Sequence, residues 1–179
     1  MLKLVKDSNP QLRKRSIKVD EPFLEEDKKI IREMLDYLKK SQDDEYAKKH
    51  HMRAGVGLAA PQIGIQKQMI AVYYEGEKGY VQYGLINPRI ISTSVKLCYL
   101  RNGEGCLSVD AEHPGHIYRP YKIRVKAYDI LQDKEIEIVA KGYDAIVLQH
   151  EIDHLQGILF YDHIDPKAPM KVLPNTIEI

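Results

Sequence analysis

Residues 143–156 (YDAIVLQHEIDHLQ) set Ile146, Val147, Leu148, Ile152 and Leu155 around two histidines and a glutamate. Gly142 breaks the strand-like pattern before them, and Gly157 stands where a C-terminal helix cap belongs. The spacing predicts a helix that is buried over most of its surface. Such a helix demands covering layers, and its buried histidines and carboxylates demand partners. No other segment constrains the fold as strongly.

The covering layers read as strands. Residues 69–74 (MIAVYY), 89–95, 123–130 and 136–140 are β-branched or aromatic and bounded by turn residues. Residues 123–128 and 135–139 alternate apolar with polar, and residues 131–134 between them read as a hairpin loop. Antiparallel strands with one wet face follow. A helix is predicted over residues 23–40, where Leu24, Ile30, Ile31, Met34, Leu35 and Leu38 recur at helical spacing opposite a charged, solvated face. Asn9 and Pro10 mark a short helix start leading into residues 11–17. Residues 41–53 read as a polar connector with some helix, and its His50-His51 pair is expected to be exposed and to bind nothing. Strand runs with few helices, and no regular βαβ alternation, predict an α+β fold. We expect antiparallel or mixed sheets packed around the helix of residues 143–156, in a single domain of residues 1–179.

Composition narrows the function classes. Hydrophobic residues make up 44% of the 179, enough for a core, and a net charge of +1 argues against a coat for nucleic acid. No direct nucleic-acid binding is expected. Two cysteines, Cys98 and Cys106, are too few for a disulfide framework and suit a reducing compartment. Residues 1–9 show no targeting segment, and no apolar run is long enough to span a bilayer. A cytoplasmic protein is expected.

The chemistry begins at His150, Glu151 and His154. Histidines four apart lie on one helix face, one turn apart, where two imidazoles can meet a metal. Glu151 then projects beside the ion, placed to take a proton from water and pass it on. A catalytic centre of this kind has three protein ligands and an open position. One extended protease motif places a third histidine where this chain has Phe160. Another needs a glutamate on a later helix, which prolines in residues 155–179 make hard to fit. Cys106, in the glycine-flanked run Gly103-Glu104-Gly105-Cys106-Leu107-Ser108, is the better candidate, with His113, His116 and His163 as rivals. Cys98 better suits a small buried hydrophobe.

Residues 55–64 (GVGLAAPQIG) match neither a phosphate loop nor a dinucleotide fingerprint. They form either a tight turn beside the Ala59-Ala60 step or a backbone edge that a ligand can approach. In the second case Gln62 offers a neutral amide donor suited to an oxyanion.

Together, Gly55 to Gln62, Glu104 to Ser108 and His150 to His154 resemble the three motifs of the peptide deformylase family, in the same order. The resemblance implies metal ligation by Cys106, His150 and His154, with Glu151 as general acid and base. It implies Fe²⁺, replaceable by Zn²⁺, Ni²⁺ or Co²⁺. It implies removal of the formyl group from N-formylmethionyl nascent peptides, with release of formate. The Gln62 amide and the Leu107 N–H would hold the formyl oxygen. Val56, Glu104, Tyr143, Ile146 and Val147 would line the methionine pocket, and the peptide would add as a strand against Val56, Gly57 and Gly105. The polar segment before residue 55 and the short tail Asn175-Thr176-Ile177-Glu178-Ile179 resemble the second bacterial class. That tail lacks the basic helix with which other members meet the ribosome. Two other readings are a metalloprotease, from the helix alone, and a non-catalytic metal- or peptide-binding module. The presence of Glu151 argues against the module.

Overall fold

A computed structural model describes residues 2–179 of the chain. Met1, at the head of the segment read above for targeting signals, lies outside them. In chain order come helices α1 (Glu25–Ser41) and α2 (Asp44–His50), then strands β1 (Gly57–Ala59), β2 (Met69–Gly76), β3 (Gly79–Thr93), β4 (Leu97–Tyr99), β5 (Arg119–Pro120), β6 (Lys122–Asp129) and β7 (Lys134–Lys141). Helix α3 (Tyr143–Leu155) and strand β8 (Ile177–Glu178) follow, and 3-10 turns occupy Pro10–Arg13, Ala60–Ile63 and Phe160–His163.

Five strands form an antiparallel sheet in the order β1-β2-β3-β6-β7. A smaller sheet, β5-β4-β8, is mixed, because β4 pairs antiparallel with β5 and parallel with β8. The α+β class, with antiparallel and mixed sheets around the α3 helix, is therefore borne out.

The larger sheet is covered on both faces. Side chains alternate along a strand, so Ile70, Val72 and Tyr74 of β2 join the α3 residues Ala145, Val147, Leu148, Ile152 and Leu155. Met69 and Ala71 point the other way and join Ile31, Met34, Leu35 and Leu38 of α1. That is why β2 reads as a continuous apolar run while β6 and β7 alternate. Each fully buried leucine or isoleucine in these layers contributes about 1.5–3 kcal/mol of transfer free energy. α3 is held by such contacts and by the cap at Gly157, whose positive φ lets Gly157 N–H and Ile158 N–H reach the carbonyls of His154 and Asp153.

Several elements differ from expectation. The helix expected over residues 11–17 is only the 3-10 turn Pro10–Arg13, although the Asn9 side chain caps it at Gln11 N–H as predicted. Beyond it the backbone pairs elsewhere: Ser16 N–H donates to the Leu155 carbonyl at 2.8 Å and Ile17 N–H to the Gln66 carbonyl at 3.0 Å. β3 starts at Gly79, ahead of the expected residue 89. Gly84, Asn87 and Pro88 look like breakers in the sequence. Here Gly84 is needed because a Cβ would sit 2.8 Å from Ile130 and Ile31, and a register shift between Ile86 and Arg89 absorbs the other two. β3 also ends at Thr93, leaving Val95 outside. β4, β5 and β8 are too short to produce a pattern.

Candidate metal centre

One face of α3 carries His150, Glu151 and His154, all buried. The loop after β4 brings Cys106 to the same place. One donor atom each from Cys106, His150 and His154 lie within 4.8 Å of one another, and Cys106 Sγ is 3.3 Å from His154 Nε2. The rival histidines stand elsewhere. His113 stacks on Tyr161, His116 packs against Tyr99, and His163 bonds to Asp153. His50 stacks on Tyr46 at the end of α2, and His51 caps that helix in a left-handed conformation.

The centre is braced from behind. His150 Nδ1 donates to Glu104 Oε2 at 2.8 Å, which leaves Nε2 for the cluster. Glu104 also accepts from Arg119 Nε at 2.6 Å and Nη2 at 3.0 Å, and Arg119 Nη1 donates to Asp153 Oδ2 at 2.8 Å. Burial disfavours the charge on Glu104, but hydrogen bonds from His150 and Arg119 overcome it and hold the carboxyl at about 2. Burial also opposes charge on His150, yet Cys106 and Glu104 lift it well above its ordinary value. His154 goes the other way: burial, then the neighbouring positive His150 and Arg119, push it well down, so it stays a neutral imidazole. Once their protons are released to make room for an ion, Cys106 and His150 join His154 as a thiolate and two imidazoles, one braced by a carboxylate, the donor set of a three-ligand divalent-metal site. The residues present fit such an ion.

Glu151 faces the neighbouring strand. A Cβ added at Gly57 would lie 2.6 Å from Glu151 Cδ, so only glycine lets β1 pass so close to this carboxylate. Burial pushes Glu151 up to about 7, with the positive His150 opposing. Its Oε2 has no hydrogen-bond partner among the described residues. A buried carboxyl poised near neutrality is suited to moving protons.

Gln62 sits in the 3-10 turn after β1. Its Oε1 accepts from Ala59 N–H at 2.8 Å, which turns the amide nitrogen toward Cys106 Sγ (3.4 Å) and Ser108 Oγ (3.2 Å). The residues expected to bind substrate line one cavity of about 760 Å³ over the cluster: Val56, Gly57, Glu104, Gly105, Tyr143, Ile146 and Val147. Gln62, Cys106, Leu107, His150 and Glu151 line it too. β1 is an edge strand, so its outer side is open along this cavity.

The brace on Glu104 was not read from the sequence. Asp153 carries a weak signal, since it lies between the two motif residues Glu151 and His154. Arg119 carries none, because a buried arginine beside a proline looks like any loop residue.

The family description "Polypeptide deformylase" matches residues 1–170. A "Peptide deformylase 2" of Geobacillus stearothermophilus is 49% identical, covering 100% of this chain and 97% of that protein. A "Peptide deformylase" of Ligilactobacillus salivarius is 48% identical, covering 97% of this chain and 95% of its own. Among solved structures, a peptide deformylase from Thermus thermophilus superposes with a TM-score of 0.75 at 28% identity, covering 93% of this chain and 87% of that one. One from Synechococcus elongatus, in complex with actinonin, gives 0.73 at 32% identity, covering 94% and 81%. With the three motifs gathered at one cavity and relatives matching it end to end, the chain belongs to the peptide deformylase family.

Proposed function

We propose that this chain is a metal-dependent hydrolase that removes the N-formyl group from the N-terminal formylmethionine of newly made polypeptides, releasing formate. Its 179 residues act as one catalytic domain. The observation that carries the reading is the buried Glu151 carboxyl, whose Oε2 has no hydrogen-bond partner among the described residues, beside the Cys106, His150 and His154 cluster at a cavity bordered by an open strand edge.

Cys106, His150 and His154 hold the ion. Fe²⁺ is our assignment for the cell, with Zn²⁺, Ni²⁺ or Co²⁺ able to replace it in a site of thiolate and imidazole donors. When bound, it supplies Lewis acidity toward a carbonyl oxygen and toward water.

The chain's own residues do the rest. Val56, Gly57 and Gly105 take the peptide as an added strand, which reads backbone and tolerates varied sequences. Tyr143, Ile146 and Val147 receive the methionine side chain. Glu104 lines the same cavity, and its carboxylate fixes the ring of His150. The Gln62 amide and the Leu107 N–H donate to the oxygen that becomes negative as water adds to the formyl carbon. Glu151 takes the proton from that water on a carboxylate oxygen and gives it to the departing amine nitrogen. The C–N bond breaks, and formate and a free α-amine result.

The substrate places the enzyme in the cytoplasm, on chains leaving the ribosome. No helix among the described residues is long and apolar enough to cross a membrane. The test is formate release from formyl-Met peptides by Fe²⁺- or Ni²⁺-loaded protein. Turnover by the wild type and its loss in Glu151→Ala are expected; full activity in Glu151→Ala refutes the assignment. Unformylated peptides should stay intact, and their internal cleavage would favour a protease instead.

A further inference from the structure

Arg53 lies between α2 and β1, on no motif, and its side chain is half exposed at the cavity rim. Its guanidinium is nevertheless committed. Nη2 donates to the Cys106 carbonyl, which also accepts from Val109 N–H at 3.2 Å, and both Nη1 and Nη2 donate to the Val109 carbonyl at 3.1 Å, so Arg53 ties both ends of this turn. Nη1 also lies 3.5 Å from Asp110 Oδ1, which Lys6 Nζ meets at 2.7 Å. The loop carrying the metal-binding thiol is thus held through its backbone oxygens.

The Cys106 carbonyl and the Leu107 N–H belong to one peptide unit. That unit is planar and trans, so fixing the direction of the C=O fixes the opposite direction of the N–H. A cation on the carbonyl also draws electron density through the amide and makes the N–H a stronger donor. We propose that Arg53 is a positioning residue: it aims and strengthens the Leu107 N–H by holding the Cys106 carbonyl. This rests on the reading of Leu107 as an oxyanion donor. Lys6 supports the same loop, since its Nζ also donates to the Leu107 carbonyl at 3.3 Å.

Two readouts separate this inference from the reading beneath it. In substrate-free protein loaded with Zn²⁺, the amide ¹H and ¹⁵N shifts of Leu107 should move in Arg53→Met and return toward wild type in Arg53→Lys. In the formate assay, Arg53→Met should lower kcat by about tenfold, a part of the 10²–10³ lost when such a donor is removed outright, with KM within about twofold. Metal content should be unchanged. Lys6→Met should give a smaller loss of the same kind. An unmoved Leu107 shift overturns the proposal whatever the kinetics. A raised KM with unchanged kcat also overturns it and makes Arg53 a peptide-binding residue. A moved shift with wild-type kcat and KM leaves Arg53 as the holder of the peptide unit and removes Leu107 from the oxyanion site. Gln62→Ala, run beside these, tests that site independently.

Discussion

Replacing Gly57 by alanine would put a methyl carbon 2.6 Å from Glu151 Cδ and 2.7 Å from its Cγ. Ordinary contact starts at 3.4 Å and Glu151 Oε1 would be nearer still, so the carboxylate must retreat by about 1 Å or β1 must bulge outward. The sheet resists the bulge, because Gly57 pairs with Val72 and Val56 accepts from Tyr73 N–H at 2.9 Å. The backbone itself tolerates alanine, since Gly57 has no left-handed φ. Lower freedom in the unfolded chain favours Gly57→Ala by about 0.4–1 kcal/mol, which offsets part of the clash. Stability should therefore change little while catalysis suffers. A displacement near 1 Å of a reacting group costs on the order of 10²-fold in rate. We expect kcat for formate release to fall by about 30- to 100-fold, with metal content unchanged and KM within a few fold, because the backbone groups proposed to meet the peptide remain. A kcat within about threefold of wild type would refute the reasoning. Glu151 would then tolerate displacement, and its place against Gly57 would have no catalytic meaning.

Other expectations follow from the same geometry. Glu104→Gln leaves Arg119 buried with Asp153 as its remaining anion, so thermal or urea unfolding should show a loss of about 3–5 kcal/mol. Metal titration of the same variant should show affinity reduced about 10- to 100-fold, because His150 loses its charged brace. Burial pushes the Cys98 thiol up to about 11, so iodoacetamide at pH 8 should label it only after unfolding. The fold favours the protonated thiol there, so stability should decline as pH rises from about 9 toward 11. Asp162 is opposed by burial, but Arg13 and the Leu159 N–H win and hold it below 3.8. Its folded value is depressed, so the stabilisation exists above 3.8 and is lost as pH falls through the lower value. Asp162→Asn should lower Tm at pH 7, and the gap should close in acid; a constant gap would count against the ion pair.

How far the sequence could be read depended on how local the cause was. The spacing of His150, Glu151 and His154 translates into one helix face because helix geometry is set within a few residues. The limits of α3, its cap at Gly157, and the β6–β7 hairpin were legible for the same reason. β3 was cut short because Gly84 and Asn87 look like breakers unless one knows that Ile31 and Ile130 crowd the sheet there. The 3-10 turn at Pro10–Arg13 ends early because the backbone of α3 and the segment before β2 claim the residues after it. These are tertiary causes, and no window of sequence contains them.

Glu104 shows where that boundary cuts through the site itself. Its place beside Cys106 invited a role in the pocket wall, and it does border the cavity. Yet a carboxylate only 4% exposed cannot stay charged without partners, and it takes two, His150 from α3 and Arg119 from β5. Arg119, equally buried, then needs a second anion, which α3 supplies as Asp153 one turn from His150. Asp153 also meets His163 in the turn beyond the helix. Each charge calls for the next, and the partners are drawn from the loop after β4, from α3, from β5 and from the turn beyond α3. The groups that would touch metal and substrate are thus spelled out in short motifs, while those that orient them follow from satisfying buried charge across the fold. Mutations in the second set should alter metal affinity and stability together, whereas mutation of Glu151, which has an unpaired carboxylate oxygen, should act chiefly on turnover.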